Sequence, residues 1–170
     1  MTAIRCETQQ DIETIRAVNQ LAFGGSAEAD LVDRLRQQGI SLISMVAVEP
    51  HKIVGHILFS PMSVDGHPEI VTVAGLAPLA VLPTYQRKGI GSKLVRAGLK
   101  ECRQAGFKAV AVLGHPDYYP RFGFKPAASY GIRCEFDAPA EAFMVLELHP
   151  GALAELRNSK LCYLPEFKDV

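Results

Sequence analysis

Between Leu79 and Lys93 the chain reads Leu79-Ala80-Val81-Leu82-Pro83-Thr84-Tyr85-Gln86-Arg87-Lys88-Gly89-Ile90-Gly91-Ser92-Lys93. An apolar strand must turn here, through two glycines and a basic pair, straight into a helix. The helix is marked by Leu94, Val95, Leu99 and Cys102 on one side and Lys93, Arg96, Lys100 and Arg103 on the other. Gly89 and Gly91 let the backbone approach a ligand closely. The first N–H groups of the helix and its positive dipole end form an anion site, to which Arg87 and Lys88 add charge. The two standard glycine-rich alternatives do not fit. A dinucleotide fingerprint needs a third Gly where Leu94 stands, and a P-loop needs four residues between its first Gly and Gly-Lys.

Charge is distributed to the same effect. The 170 residues carry 18 Lys+Arg and 18 Asp+Glu, a balance that argues against a dedicated nucleic-acid or membrane-surface protein. Within it, residues 51–134 hold 11 basic and 4 acidic side chains, between acidic segments on either side. A polyanionic ligand is therefore expected in the middle of the chain, near Arg87 to Lys108. Helix 91–106 has no exposed aromatics interleaved with its basic residues, which a single-stranded nucleic-acid binder would need.

The rest of the chain reads as one domain over 1–170, with no repeat or linker. A strand at 3–7 precedes a helix with Ile12, Ile15, Val18 and Leu21 at helical spacing, ended by Gly24-Gly25, and a second helix stops at Gly39. Apolar runs at 42–48, 53–59 and 70–81, separated by Glu49-Pro50-His51-Lys52 and Asp65-Gly66-His67-Pro68, predict an antiparallel meander. The run 108–113 follows a crossover helix and is expected to lie parallel to the strand ending at Val81. A late strand at 143–148 offers an edge that could pair across a two-fold axis, so monomer and homodimer both remain open. The expected class is α/β, a mixed and mostly antiparallel sheet flanked by helices.

Cys6, Cys102, Cys134 and Cys162 are too far apart for a zinc knuckle or a CxxC pair. No His/Cys/Asp cluster suggests a metal. The first residues lack the basic and apolar regions of a signal peptide, and no apolar stretch reaches membrane-spanning length, so the expectation is a cytoplasmic protein without a membrane partner.

Gln86-Arg87-Lys88-Gly89-Ile90-Gly91 resembles the Q/R-x-x-G-x-G/A signature of the GNAT superfamily of acyl-CoA-dependent N-acetyltransferases. Tyr119 with Gly123-Phe124 resembles the Tyr-x-x-x-Gly-Phe that commonly follows the fifth strand there. The Ala77-Pro78-Leu79-Ala80-Val81 and Tyr119-Pro120-Arg121-Phe122-Gly123-Phe124 combination is similar to the YhbS-like branch. The resemblance covers roughly residues 40–128. It implies a parallel strand pair splayed to admit acetyl-CoA. It also implies pyrophosphate contacts from Gln86, Arg87, Lys88, Gly89, Ile90, Gly91 and Ser92, and pairing of the pantetheine amides with Leu79, Ala80 and Val81.

The implied activity is transfer of an acetyl or short acyl group from acyl-CoA to a primary amine by direct attack in a ternary complex. Tyr119 is the implied donor to the leaving thiolate, and Tyr118 is the alternative packed aromatic. A carboxylate that many relatives carry on the fourth strand is replaced by Gly75-Leu76-Ala77-Pro78, so the general base is unassigned, with His115 and Asp117 near the expected sulfur and Glu69 farther back on the fourth strand. That departure leaves a non-catalytic acyl-CoA-binding module as the alternative.

Overall fold

The computed structural model describes all residues from 1 to 170. Its strands are β1 (Ala3–Cys6), β2 (Ile43–Glu49), β3 (Lys52–Val64), β4 (Val73–Val81), β5 (Ala109–Leu113), β6 (Lys125–Pro126), β7 (Arg133–Cys134), β8 (Phe143–Glu147) and β9 (Lys160–Cys162). Its helices are α1 (Ile12–Phe23), α2 (Ala27–Gln37), α3 (Ile90–Gln104) and the one-turn α4 (Ala152–Glu155). The class is mixed α/β: an open, mostly antiparallel sheet with one parallel pair, β4 with β5, and flanking helices. No helix is long and apolar enough to cross a membrane.

Two compact units divide the chain. One comprises Met1–Phe59, Ala77–Lys100 and Pro165–Val170, the other Ser60–Leu76 and Glu101–Leu164. In the first, β1, β2 and the start of β3 pair antiparallel, with Ile4 opposite Ala47 and Val46 opposite His56. Residues 53–60 of β3 are buried without a break, which explains why that run shows no polar alternation: a strand covered on both faces has no wet side. Helix α1 ends at Gly24, whose left-handed conformation (φ 72°) lets its N–H reach the carbonyl of Gln20 at 2.9 Å. Arg16 ties α1 to α2 through Asp30 and Asp33, both at 2.8 Å.

In the second unit, β5 pairs parallel with the start of β4, Val73 opposite Ala109. Strand β8 pairs with β5 on one edge and with β6 on the other, Val145 facing both Ala111 and Lys125. The two residues of β6 were invisible in the sequence, and they take the part of the 143–148 edge at Met144 and Val145 that the sequence analysis left open to a two-fold partner. Strand β9 pairs with Ser63 and Val64 of β3 and carries β7 on its other side.

A buried polar chain crosses the first unit. His56 is wholly buried, and Asn19 Nδ2 donates to its Nδ1 at 3.1 Å and to the Ile15 carbonyl at 3.0 Å. His56 Nε2–H is therefore the donor to Ser44 Oγ at 2.8 Å, Ser44 donates to Glu7, and Glu7 pairs with Arg36 at 2.9 Å. Burial first, and the Arg36 charge second, push the imidazole down to about 3. An unfolded His takes up a proton below about pH 6.5 while the folded one does not, so stability is lost as pH falls from there towards the folded value. The expected result is an unfolding free energy about 2 kcal/mol lower at pH 5 than at pH 7, measured by urea titration. His56→Gln should flatten that difference, and an unchanged slope would assign it to other groups.

Candidate active site

The phosphate-type turn lies in the first unit, and its conformation follows from two left-handed residues. Gly89 has φ 82° and Arg87 has φ 63°, both left-handed, just before Ile90 starts α3. Left-handed residues in such turns let successive N–H groups converge on one anion. Gly89 closes the turn as the helix cap: its carbonyl accepts the first intrahelical bond, from Lys93 N at 3.1 Å. The N–H groups of Ile90, Gly91 and Ser92 therefore precede the hydrogen-bonded ladder and face the helix entrance. Gly91 is not among the left-handed residues, so conformation singles out Gly89, where the sequence treated both glycines alike.

The basic pair is exposed, as are Lys93, Arg96 and Lys100. Lys88 Nζ lies 5.4 Å from the centre of the Tyr85 ring, and Lys52 Nζ, from the β2–β3 turn, lies 5.6 Å from it. Lys52 and Tyr85 escaped the sequence reading because 33 positions separate them and neither belongs to a motif.

The strand leading into this turn presents an unused edge. Pairing with β5 covers only Val73, Ala74 and Gly75, whereas Ala77–Val81 belongs to the first unit beside β3. Leu82 N donates to the Val54 carbonyl of β3 at 2.9 Å. Along an antiparallel strand the backbone groups alternate in direction, so those of Ala80 also face β3, and those of Leu79 and Val81 point away from it. Gln86 confirms the direction at Val81: its Nε2 donates to the Val81 carbonyl at 2.9 Å. That bond gives the Gln86 side chain a local task, bracing the turn against the strand end.

The tyrosines lie in the second unit. Tyr119 is 7% exposed and opens a short 3-10 turn that ends at Gly123, left-handed at φ 100°. Its ring packs edge-on against Tyr118 at 5.0 Å and Phe124 at 5.7 Å. A Cβ at Gly114 would stand 2.6 Å from Tyr119 Cε2, so only glycine at the end of β5 leaves room for the ring. Burial, with a smaller contribution from Tyr118, pushes the Tyr119 phenol up to about 12. Tyr118 is half-buried, with the Arg121 guanidinium 4.5 Å over its ring. The burial order thus reverses the sequence expectation that Tyr118 is the packed aromatic. His115 and Asp117 are exposed, and the His115 carbonyl accepts from Tyr118 N at 3.1 Å.

Two further features of this unit lay beyond the region of resemblance. Tyr163 is buried beside Gly75, its hydroxyl bonded to the Leu113 backbone and its ring stacked on Phe136 at 5.6 Å. Burial raises its phenol above the ordinary range. Segment 127–143 lines an open cavity of about 470 Å³ whose walls include Ile132, Phe136 and Phe143. No motif marks it.

A helix entrance flanked by basic side chains, beside an open strand edge, suits an extended ligand with a phosphorylated end, the arrangement used by transferases that draw an acyl group from a pantetheine thioester. Comparison with known proteins is specific about the class. Residues 3–127 match the acetyltransferase (GNAT) domain, and the chain belongs to that family. It is 38% identical over 151 residues to the uncharacterized N-acetyltransferase YhbS of Escherichia coli K12, covering 88% of this chain and 89% of that protein. It is 43% identical over 122 residues to the uncharacterized N-acetyltransferase YjhQ of the same organism, covering 71% and 67%. Among solved structures, Escherichia coli YhbS in complex with CoA superposes with a TM-score of 0.92 at 35% identity, covering 98% of this chain and 92% of the other. A Brucella melitensis GNAT acetyltransferase in complex with acetyl-CoA gives 0.81 at 33% identity, covering 98% of both.

Proposed function

We propose that the protein transfers an acetyl or other short acyl group from acyl-CoA to a primary amine by direct attack within a ternary complex. The observation that carries this reading is the turn Gln86–Ser92, in which left-handed Arg87 and Gly89 present the first N–H groups of α3 beside a basic pair. The complexes of the two related structures with CoA and acetyl-CoA support it. On this reading the turn binds the pyrophosphate and the outward backbone groups of Leu79 pair with the pantetheine arm as with an added strand, while the Val81 carbonyl stays with Gln86 and its N–H is left for the thioester.

In the reaction, the amine nitrogen bonds to the acyl carbon as the carbon–sulfur bond breaks. Val81 N–H meets the carbonyl oxygen, a contribution of about 3 kcal/mol where such a donor is well placed. One proton leaves the nitrogen for solvent. Tyr119 supplies one to the sulfur and is reprotonated from solvent. With its phenol held at about 12, Tyr119 stays a donor throughout the neutral range.

Incubation with acetyl-CoA and an amine library, read as free thiol, tests the activity. Acetyl-CoA binding without thiol release from any amine would favour the non-catalytic module. The charge assignment has its own test. Arg87→Ala with Lys88→Ala should weaken acetyl-CoA by at least about tenfold, as expected for charge-assisted contacts to phosphate, and leave acetyl-pantetheine nearly unaffected. Equal losses for the two donors would place the pyrophosphate elsewhere.

A further inference from the structure

Resting on that reading of the chain as an amine acetyltransferase, we propose that the cavity of segment 127–143 holds the acceptor, and that the acceptor is an amino acid with an apolar side chain, its carboxylate bound by Arg133. The volume, about 470 Å³, lies in the range of small-molecule sites, which are mostly apolar with a few placed polar groups. Ile132, Phe136, Pro139 and Phe143 supply apolar wall, and the charged side chains on it are one guanidinium, Arg133, and one carboxylate, Asp137. Neither is spent on an ion pair within the chain, unlike Arg5, Arg16 and Arg36 of the first unit.

Arg133 is held at its backbone and free at its head. It lies on β7 opposite Lys160 of β9, and its N–H donates to the Ser159 carbonyl at 2.9 Å. A guanidinium on a fixed strand is suited to bidentate capture of a carboxylate. One cation and one anion on an apolar wall complement a zwitterion with an apolar body. A polyamine would bring several ammonium groups to a site with a single carboxylate and an opposing guanidinium.

The cavity is continuous in packing with the proposed acid. Its Phe136 stacks on Tyr163, Tyr163 bonds to the Leu113 backbone, and the next residue, Gly114, carries the Tyr119 ring. Phe143 faces Leu113 directly across the β5–β8 register. The end of β5 thus seats Tyr119 and pairs with Phe143, a residue of the cavity wall.

The test compares phenylalanine, phenethylamine, spermidine and a lysine-containing peptide as acceptors for the full-length protein with acetyl-CoA, in the wild type and in Arg133→Gln. Phenylalanine should exceed phenethylamine, which lacks only the carboxylate, by at least tenfold in kcat/KM. Arg133→Gln should erase that difference by raising KM for phenylalanine with kcat kept and phenethylamine unmoved. Phenylalanine alone should also raise the Tm of the wild type but not of the variant. Ala140→Trp, at an exposed position on the rim, should raise KM for phenylalanine more than tenfold without lowering Tm. Preferred turnover of spermidine or of the peptide, or equal losses for phenylalanine and phenethylamine in Arg133→Gln, would overturn the acceptor assignment and leave amine acetylation standing. Acetyl-CoA binding with no thiol release from any of the four would overturn this inference, and only the same result across the whole amine library would overturn the acetyltransferase reading as well.

Discussion

Tyr119→Phe is expected to lower kcat by about 10² to 10⁴, the range lost with a positioned general acid, while acetyl-CoA affinity barely changes. In the proposed mechanism the hydroxyl acts on the leaving sulfur, so its loss appears in turnover and not in donor binding. Tyr118→Phe is the matched control. Its ring is half-buried and faces Arg121, so removing its hydroxyl should cost turnover little. Because burial holds the Tyr119 phenol at about 12, the wild-type kcat should show no alkaline decline from this group below about pH 10. Paired steady-state kinetics decide the matter. Equal behaviour of the two variants, or greater sensitivity at Tyr118, would give the proton to another source.

Gly89→Val should abolish the thermal stabilisation that acetyl-CoA confers, about 2.7 kcal/mol at a ligand concentration 100 times Kd. At φ 82° a β-branched residue is strained whatever space surrounds it. That space is open, since a Cβ on Gly89 would meet nothing within 4 Å. The cost therefore falls on the turn, not on the core, and the fold should persist. Gly89→Asn, which tolerates the left-handed region, should retain part of the shift. Gly91→Val, free of that conformational demand, should harm binding less than Gly89→Val does. An undiminished shift in Gly89→Val would mean that the turn does not hold the phosphates.

What the sequence disclosed and what it hid divide along physical lines. The meander and α3 were legible because continuous or periodic burial leaves its trace in residue order: 53–60 is apolar throughout apart from Gly55, His56 and Ser60, and Leu94, Val95 and Cys102 are buried opposite exposed Lys93 and Arg96. The strand boundary shifted where pairing, not composition, sets the limit, as when β3 extends to Val64 to receive β9. Strands β6 and β7 have two residues each, too few for any period, so the partly covered edge of β8 could not be foreseen. The Asn19–His56–Ser44–Glu7–Arg36 chain joins five elements or loops whose members carry no common spacing.

At the candidate site the sequence offered a resemblance in residue order, and the conformations of those residues were hidden. Nothing in Tyr118-Tyr119 distinguishes a buried phenol from its half-exposed neighbour; Gly114, five residues upstream of Tyr119, makes the difference by leaving room for one ring. Likewise the cavity walls come from a segment whose own sequence has no helical or strand period, and whose β7 is held by pairing with the distant β9.

Position 87 has to satisfy two demands that chemistry usually assigns to different residues. A left-handed backbone favours glycine, yet the phosphate proposed to lie beside it favours arginine, and the chain keeps the arginine at φ 63°. Holding a side-chain-bearing residue there costs on the order of 1 kcal/mol, so the turn is built for charge at the expense of local ease. The two demands can be separated in one substitution: Arg87→Gly relaxes the backbone and deletes the guanidinium, giving a protein that is harder to melt and slower to capture an anion.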